Sequence, residues 1–293
     1  MDEGYLNISR DELDLETTLE VGQTFSWYRL SEGTLYDGEG NKYFTTSNGN
    51  VLILWQEDDK LFYKATGGME EQIEKRFYLN DSLRDIKEGL RGKDEILDKA
   101  LDSYKGLRLL KDDFFPCLIS YLCSPQMRIP RIKKMFNGIA ERYGDKINVD
   151  GRTFLQFPNV EQLSKASEED LRDLGIGYRA KYVVRTVKQI LDGLVVPEKL
   201  FKMDYREAHG EIKKLFGVGN KVADCVLLFG VGKLEAFPVD TWIKKAVKKY
   251  YPEKYDKNYL RLGDNFRDYF GEKKVGYAQE YLFHYIRNQE SNL

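Results

Sequence analysis

Apolar and polar residues alternate in short runs over the first hundred residues, and from about residue 93 the spacing lengthens to that of a helix. The β-prone runs are Thr34-Leu35-Tyr36, Lys42 to Thr46, Val51 to Gln56 and Lys60 to Ala65. Glycine-bearing turns separate them, and Asn48-Gly49 suits a two-residue hairpin turn, where both positions take positive φ. Helices are expected at 69–77 and 81–91. Beyond residue 93 the chain reads as helical throughout. Asp113-Phe114-Phe115-Pro116 opens an apolar helix that runs through Cys123 and breaks at Pro125. From Pro130 to Tyr143, Ile132, Met135, Phe136, Ile139 and Ala140 recur on one helical face. Further helices are expected at 167–174, 179–193, 204–215, 220–229, 241–250, 256–270 and 275–289. The pattern predicts an α+β chain: an N-terminal antiparallel β-sheet domain with helices over 1–105, then a two-lobed all-helical domain over 106–293.

At 293 residues and 42% hydrophobic content the chain has room for two domains with real cores. No apolar run approaches the length of a membrane span, so no membrane partner is expected. The acidic start Met1-Asp2-Glu3-Gly4 carries no signal-peptide pattern, which points to the cytoplasm. Cys117, Cys123 and Cys225 are an odd number without paired spacing, which fits a reducing compartment and neither a disulfide framework nor a zinc site. Net charge is −2, but it is unevenly spread. Residues 1–100 hold 12 Lys/Arg against 22 Asp/Glu, whereas residues 171–250 hold 16 against 9. A basic segment in a mildly acidic protein is a footprint suited to phosphate, or else a solvated helical surface.

That segment carries the candidate chemistry. Leu174-Gly175-Ile176-Gly177-Tyr178-Arg179 resembles Phe216-Gly217-Val218-Gly219-Asn220-Lys221, and each reads as helix, tight turn, helix. Glycine suits positions 217 and 219 because the chain reverses there and positive φ is needed. Lacking Cβ atoms, these positions also let a phosphate reach the N–H groups that open the next helix. The plain alternative is a helix-terminating glycine between two packed helices. Lys221 tells against it, because a lysine in a first helical turn opposes the dipole, where an acid would be favoured. Cys225 lies one turn further along the same face. The loop Phe237-Pro238-Val239-Asp240 then brings a carboxylate to the start of the next helix, where Asp240 is a natural N-cap. A capped carboxylate is immobilised, which is what stabilising a developing positive charge requires.

The stretch Gly217-Val218-Gly219-Asn220-Lys221-Val222-Ala223-Asp224-Cys225, followed by Pro238-Val239-Asp240, resembles the helix-hairpin-helix (HhH-GPD) superfamily of DNA glycosylases, with the hairpin over 204–230. Within it the chain is similar to the 8-oxoguanine DNA glycosylase/AP lyases, from about Asp11 to Asn288. The resemblance implies that Lys221 is the amine nucleophile and Asp240 the stabilising carboxylate. It implies that the Gly22 carbonyl, in Val21-Gly22-Gln23-Thr24-Phe25-Ser26-Trp27, accepts the N7–H found on 8-oxoguanine and absent from guanine. In Tyr277-Ala278-Gln279-Glu280-Tyr281-Leu282-Phe283, Gln279 would bond the edge of the extruded base and Phe283 would stack on it, with Cys225 covering the other face. Arg131 and Arg179 match arginines that read the orphaned cytosine, Tyr178 would wedge into the stack, and Gly217 and Gly219 would hold backbone phosphate. Two positions depart from the family pattern. Gln126 stands where many members have a shorter asparagine, and Trp242 where many have a phosphate-contacting histidine. The implied partner is duplex DNA bearing 8-oxoguanine opposite cytosine. The implied protein is a monomer with no cofactor and no catalytic metal, although carbonyls at 217–219 could hold a structural cation. No iron–sulfur cluster is expected, because no cysteine follows Cys225. Two other readings remain open: a non-catalytic DNA-binding protein built on the same hairpin, and a glycosylase of this fold for another damaged base.

Overall fold

Five antiparallel strands build the N-terminal sheet: β1 (Asp2–Asn7), β2 (Tyr28–Arg29), β3 (Tyr43–Ser47), β4 (Asn50–Glu57) and β5 (Lys60–Ala65), in the order β1-β5-β4-β3-β2. The computed structural model describes residues 1–30 and 41–291, so the expected run Thr34-Leu35-Tyr36 lies outside the described residues. The other three β-prone runs are β3, β4 and β5. Ser47 pairs with Asn50, and Asn48 and Gly49 have φ of 49° and 78°, the two left-handed positions that the Asn-Gly pair is suited to supply. Strands β1 and β2 and helix α1 (Leu15–Glu20), capped by Asp14, had no clear signal in the sequence pattern.

Four successive residues of β4, Val51-Leu52-Ile53-Leu54, are buried, which means that both faces of the sheet are covered. Leu52 and Leu54 pack with Leu61, Met69, Ile73 and Phe77, the last two from the segment containing α2 (Ile73–Arg76). Val51 and Ile53 face the other way and pack with Phe44 and Phe154. Phe154 comes from a hairpin that corrects the all-helical expectation for the second part. Strands β6 (Asp145–Val149) and β7 (Arg152–Gln156) form a separate two-stranded sheet, turned by Asp150 and Gly151 at φ of 50° and 76°. Asp-Gly carries the same physical signal as Asn48-Gly49, but no period-two run drew attention to it. The rest of the α+β reading holds.

The helices that follow are α3 (Leu83–Leu90), α4 (Glu95–Ser103), α5 (Phe114–Cys123), α6 (Ile129–Tyr143), α7 (Val160–Leu163), α8 (Glu168–Asp173) and α9 (Ala180–Leu191). Then come α10 (Pro197–Leu200), α11 (Tyr205–Ile212), α12 (Asn220–Val226), α13 (Thr241–Tyr250), α14 (Tyr259–Phe270) and α15 (Val275–Ser291). Asp204 opens α11 with a reciprocal capping box to Glu207, which satisfies two N–H groups at the start of the hairpin. Helix α12 passes into a π-helical turn over Leu227–Val231, ended by Gly232 at φ 91°. The largest core gathers α5, α6, α9 and α11 to α15, and also takes in Val21, Phe25, Leu83 and Leu97 from the first hundred residues. Helix α15 returns to lie along α4, with Asn288 Nδ2 donating to the Tyr104 hydroxyl at 2.9 Å. Among the described residues no helix is long and apolar enough to cross a membrane.

Candidate active site

Gly217 and Gly219 divide the work of the hairpin turn between them. Gly217 has φ of 88°, and a Cβ there would lie 2.8 Å from Tyr182 Cβ, so the turn needs glycine on both counts. Gly219 has φ of −85° and open space where a Cβ would stand. The positive φ expected at both positions is therefore confined to Gly217, because Gly219 is the N-cap of α12 and takes extended backbone. Beside the turn, the Lys181 ammonium and the Arg185 guanidinium lie 5.9 and 4.6 Å from the Phe216 ring centre. Two cations from α9 therefore flank the exposed turn.

Lys221, half-buried in the first turn of α12, points its ammonium over the Tyr121 ring at 4.8 Å and lies 3.3 Å from Ser124 Oγ. Both neighbours come from α5 and its C-cap. Asp240 is the N-cap of α13, and its carboxylate accepts from Ile243 N–H at 2.8 Å. Burial pushes that carboxyl up, while the Ile243 N–H and the Lys221 ammonium pull it down. Cys225 is buried, and desolvation pushes its thiol up to about 12 against the pull of Lys221, so the sulfur is a neutral, polarisable surface at ordinary pH. Lys221 and Asp240 both act electrostatically on Cys225, so the three side chains share one neighbourhood.

Tyr121 links this neighbourhood to the Gly22 turn, since its hydroxyl donates to Gln23 carbonyl at 2.6 Å. Gln23 is fully engaged: its amide donates to Arg108 carbonyl at 2.7 Å and accepts from Leu110 N–H at 2.9 Å. Gly22 has φ of 94°, and a Cβ would meet Ile129 Cδ1 at 2.4 Å. From α15, Arg287 donates to the Val21 carbonyl at 2.9 Å and closes the same turn from the other side. Gln279 on that helix is buried, with an Oε1 that has no protein partner, and Phe283 is half-buried beneath the Arg287 guanidinium at 5.1 Å.

A second group gathers around the turn after α5. Gln126 is exposed at φ 57°, a left-handed conformation uncommon for a residue with a side chain. Arg179 is buried, donating to the Pro125 carbonyl at 3.0 Å and lying 4.3 Å from the centre of the Tyr178 ring. Tyr178 is exposed at 51%, as a wedge would be, whereas the Arg179 guanidinium is turned inward. Arg131 is exposed in the first turn of α6. Trp242 is half-buried in the first turn of α13, beneath the Lys245 ammonium at 4.7 Å. The sequence reading missed Tyr121, Ser124 and Arg287. An aromatic in an apolar helix, a serine before proline and an arginine in a terminal helix carry no local signal.

The chain is similar to known proteins over most of its length. A family model described as the 8-oxoguanine DNA glycosylase N-terminal domain matches residues 5–118, and one described as HhH-GPD superfamily base excision DNA repair protein matches residues 119–268. The chain is 30% identical over 285 residues to the N-glycosylase/DNA lyase of Saccharomyces cerevisiae, covering 88% of this chain and 73% of that one. It is 33% identical over 247 residues to the probable N-glycosylase/DNA lyase of Methanothermobacter thermautotrophicus, covering 75% of each. The structure of Clostridium acetobutylicum 8-oxoguanine glycosylase/lyase in complex with double-stranded DNA containing cytosine opposite 8-oxoguanine aligns with a TM-score of 0.85 at 32% identity, over 100% of this chain and 99% of that one. With a sheet-bearing N-terminal part ahead of a helical part that carries the hairpin, the chain belongs to the HhH-GPD superfamily of base excision DNA repair proteins, in the branch with the 8-oxoguanine DNA glycosylase N-terminal domain.

Proposed function

We propose that this protein is a bifunctional DNA glycosylase and AP lyase that removes 8-oxoguanine opposite cytosine from duplex DNA. The observation that carries the reading is the setting of Lys221, with its amine close to the Tyr121 ring and to Ser124 and its charge pulling down the carboxyl of Asp240, the N-cap of α13. C1′ of a stacked nucleotide is out of reach, so the damaged nucleotide is first extruded from the duplex. Once its ammonium has given up a proton, the Lys221 amine attacks C1′ as the C1′–N9 bond breaks; that electron pair leaves with the base, which takes up the proton that the newly bonded nitrogen sheds. Asp240 offsets the positive charge that develops on the sugar. The sugar ring opens to a Schiff base with Lys221, and loss of a C2′ proton expels the 3′ phosphate and nicks the strand.

Gly22 supplies the carbonyl that separates 8-oxoguanine from guanine: it accepts the N7–H of the first and meets only the N7 lone pair of the second, which repels it. Gln279 reads the base edge, and Cys225 and Phe283 cover its faces. Arg131, Arg179, Tyr178 and Gln126 meet the opposite strand. For Arg179 this requires release from Pro125, so duplex engagement includes a rotation of that side chain. Gly217, Gly219 and Trp242 contact backbone phosphate. The protein works as a monomer in the cytoplasm, and its chemistry needs no cofactor because nucleophile and counter-charge are both side chains. Three cysteines are too few for a four-cysteine cluster.

The test uses 8-oxoguanine duplexes with each of the four bases opposite, read by base release and by borohydride trapping of the covalent intermediate. Wild type is expected to release the base and to trap, fastest opposite cytosine. Lys221→Gln is expected to keep affinity for the lesion duplex within about threefold while trapping falls below detection. Undiminished trapping in that variant would remove Lys221 from the chemistry. A wild-type protein that binds DNA without releasing any base would leave only the DNA-binding reading.

A further inference from the structure

Asp240 can act only if its loop is held in register with the helix that carries Lys221, and two hydrogen bonds through one phenol make that connection, while a third anchors the α12 end of it. Asp224, three residues beyond Lys221 on α12, is buried, and its two carboxylate oxygens accept from separate phenols. The Tyr205 hydroxyl of α11 donates to one oxygen at 2.7 Å, and the Tyr259 hydroxyl of α14 donates to the other at 2.8 Å. The Tyr259 oxygen in turn accepts from the backbone N–H of Val239 at 3.0 Å. Val239 directly precedes Asp240. The chain of contacts therefore runs from the lysine helix through one phenol to the peptide that sets the catalytic carboxylate.

We propose that Tyr259 is a positioning residue for base excision, joining the α12 carboxylate of Asp224 to the Val239 N–H and so fixing Asp240 relative to Lys221. This rests on the glycosylase reading above. Each donor has one acceptor in the relay, and every group in it is oriented, as a device for alignment requires. The start of the same loop is held separately, by Phe237 stacked on Phe266 of α14 at 4.6 Å. Loss of the phenol oxygen therefore leaves the loop attached and Asp240 capping α13, and removes only the tie that sets Val239 and Asp240 against α12. Burial keeps the neighbouring His209 neutral, with its value pushed down to about 4, so that imidazole does not compete as a cation for Asp224.

Tyr259→Phe in the full-length protein tests the idea through two reactions that use Asp240 differently. Release of 8-oxoguanine passes through cleavage of the glycosidic bond, whereas borohydride trapping on a preformed abasic duplex does not. Single-turnover base release is expected to slow by about thirtyfold, because small misplacements of a reacting group cost up to about a hundredfold. Affinity for the 8-oxoguanine:cytosine duplex should stay within about twofold and abasic trapping within about threefold. Asp224→Asn, which keeps the side-chain shape but weakens the acceptor, should slow release in the same direction and add little to Tyr259→Phe in the double variant. If Tyr259→Phe does not fold, Asp224→Asn carries the same comparison and must slow release at least fivefold more than trapping. Base release at wild-type rate, or release and trapping falling in parallel, would overturn the proposal. Failure of the wild-type protein to release the base would instead overturn the glycosylase reading and this inference with it.

Discussion

Glu280 follows the proposed base-reading glutamine and is 4% exposed, with an Oε1 that has no hydrogen-bond partner. Burial pushes its carboxyl from 4.5 up to about 8, with Arg287 pulling it down and Asp240 adding to the rise. The native protein therefore keeps a proton that the unfolded chain releases above its own, lower value. The stability that this proton contributes is complete below pH 4.5 and is lost as pH rises toward 8. Glu280→Gln removes the titration, so it should be near neutral at pH 4.5 and stabilising by about 1–3 kcal/mol at pH 8. Urea unfolding of both proteins at the two pH values checks this, and an unchanged pH slope would contradict it. Nothing in the local sequence marks Glu280 as unusual. Its position in an amphipathic helix leaves open whether the carboxylate meets water or the core.

At the scale of the element, the two glycines of the hairpin turn make separable contributions. An added methyl at Gly217 meets both a left-handed backbone and the Tyr182 side chain, so Gly217→Ala should cost about 1–3 kcal/mol of stability. Gly219→Ala has room and an ordinary φ, and as an N-cap change it should cost only about half a kcal/mol. The new methyl would still stand between the α12 N–H groups and a phosphate. Its effect should appear as an approximately uniform loss of affinity for damaged and undamaged duplexes alike. Thermal unfolding together with duplex titration separates the two, and an equal stability loss for both variants would refute the division. The hairpin itself was readable because glycine spacing, Lys221 and Cys225 all lie within one short stretch. Which glycine served the fold and which faced outward depended on Tyr182, 35 residues upstream of Gly217 in the sequence.

Across the whole molecule, the β6–β7 hairpin ties the helical part to the N-terminal sheet. Phe154 packs edge-on against Phe44 at 5.1 Å, and Thr46 Oγ1 donates to the Leu155 carbonyl at 3.1 Å. Phe154→Ala is expected to cost about 3–5 kcal/mol, since a fully buried ring would leave a cavity between two preformed layers. Denaturant unfolding measures this, and a loss below about 1 kcal/mol would mean that the sheet closes without the ring. Arg108 makes a second tie. Its buried guanidinium donates to the carbonyls of Tyr78 and Asp81 at 2.6 and 2.7 Å and to the Glu12 carboxylate at 2.8 Å. These contacts support the segment whose Gly22 turn meets Tyr121 of α5, the ring that the Lys221 ammonium faces.

Local chemistry, legible in the sequence, was enough for the α+β class, the Asn48-Gly49 hairpin, most helices, the Gly217–Lys221 turn and the capping role of Asp240. Each of these depends on interactions within a few residues, through backbone preference, helix ends or side-chain period. The tertiary structure alone decided that β4 is covered on both faces, that Arg179 turns inward to Pro125, that Tyr121 and Arg287 meet the Gly22 turn, and that Tyr259 joins Val239 to Asp224. Those outcomes depend on which surfaces meet across long separations in the chain, and a hydrogen bond such as Val239 N–H to Tyr259 leaves no mark on the pattern of either segment.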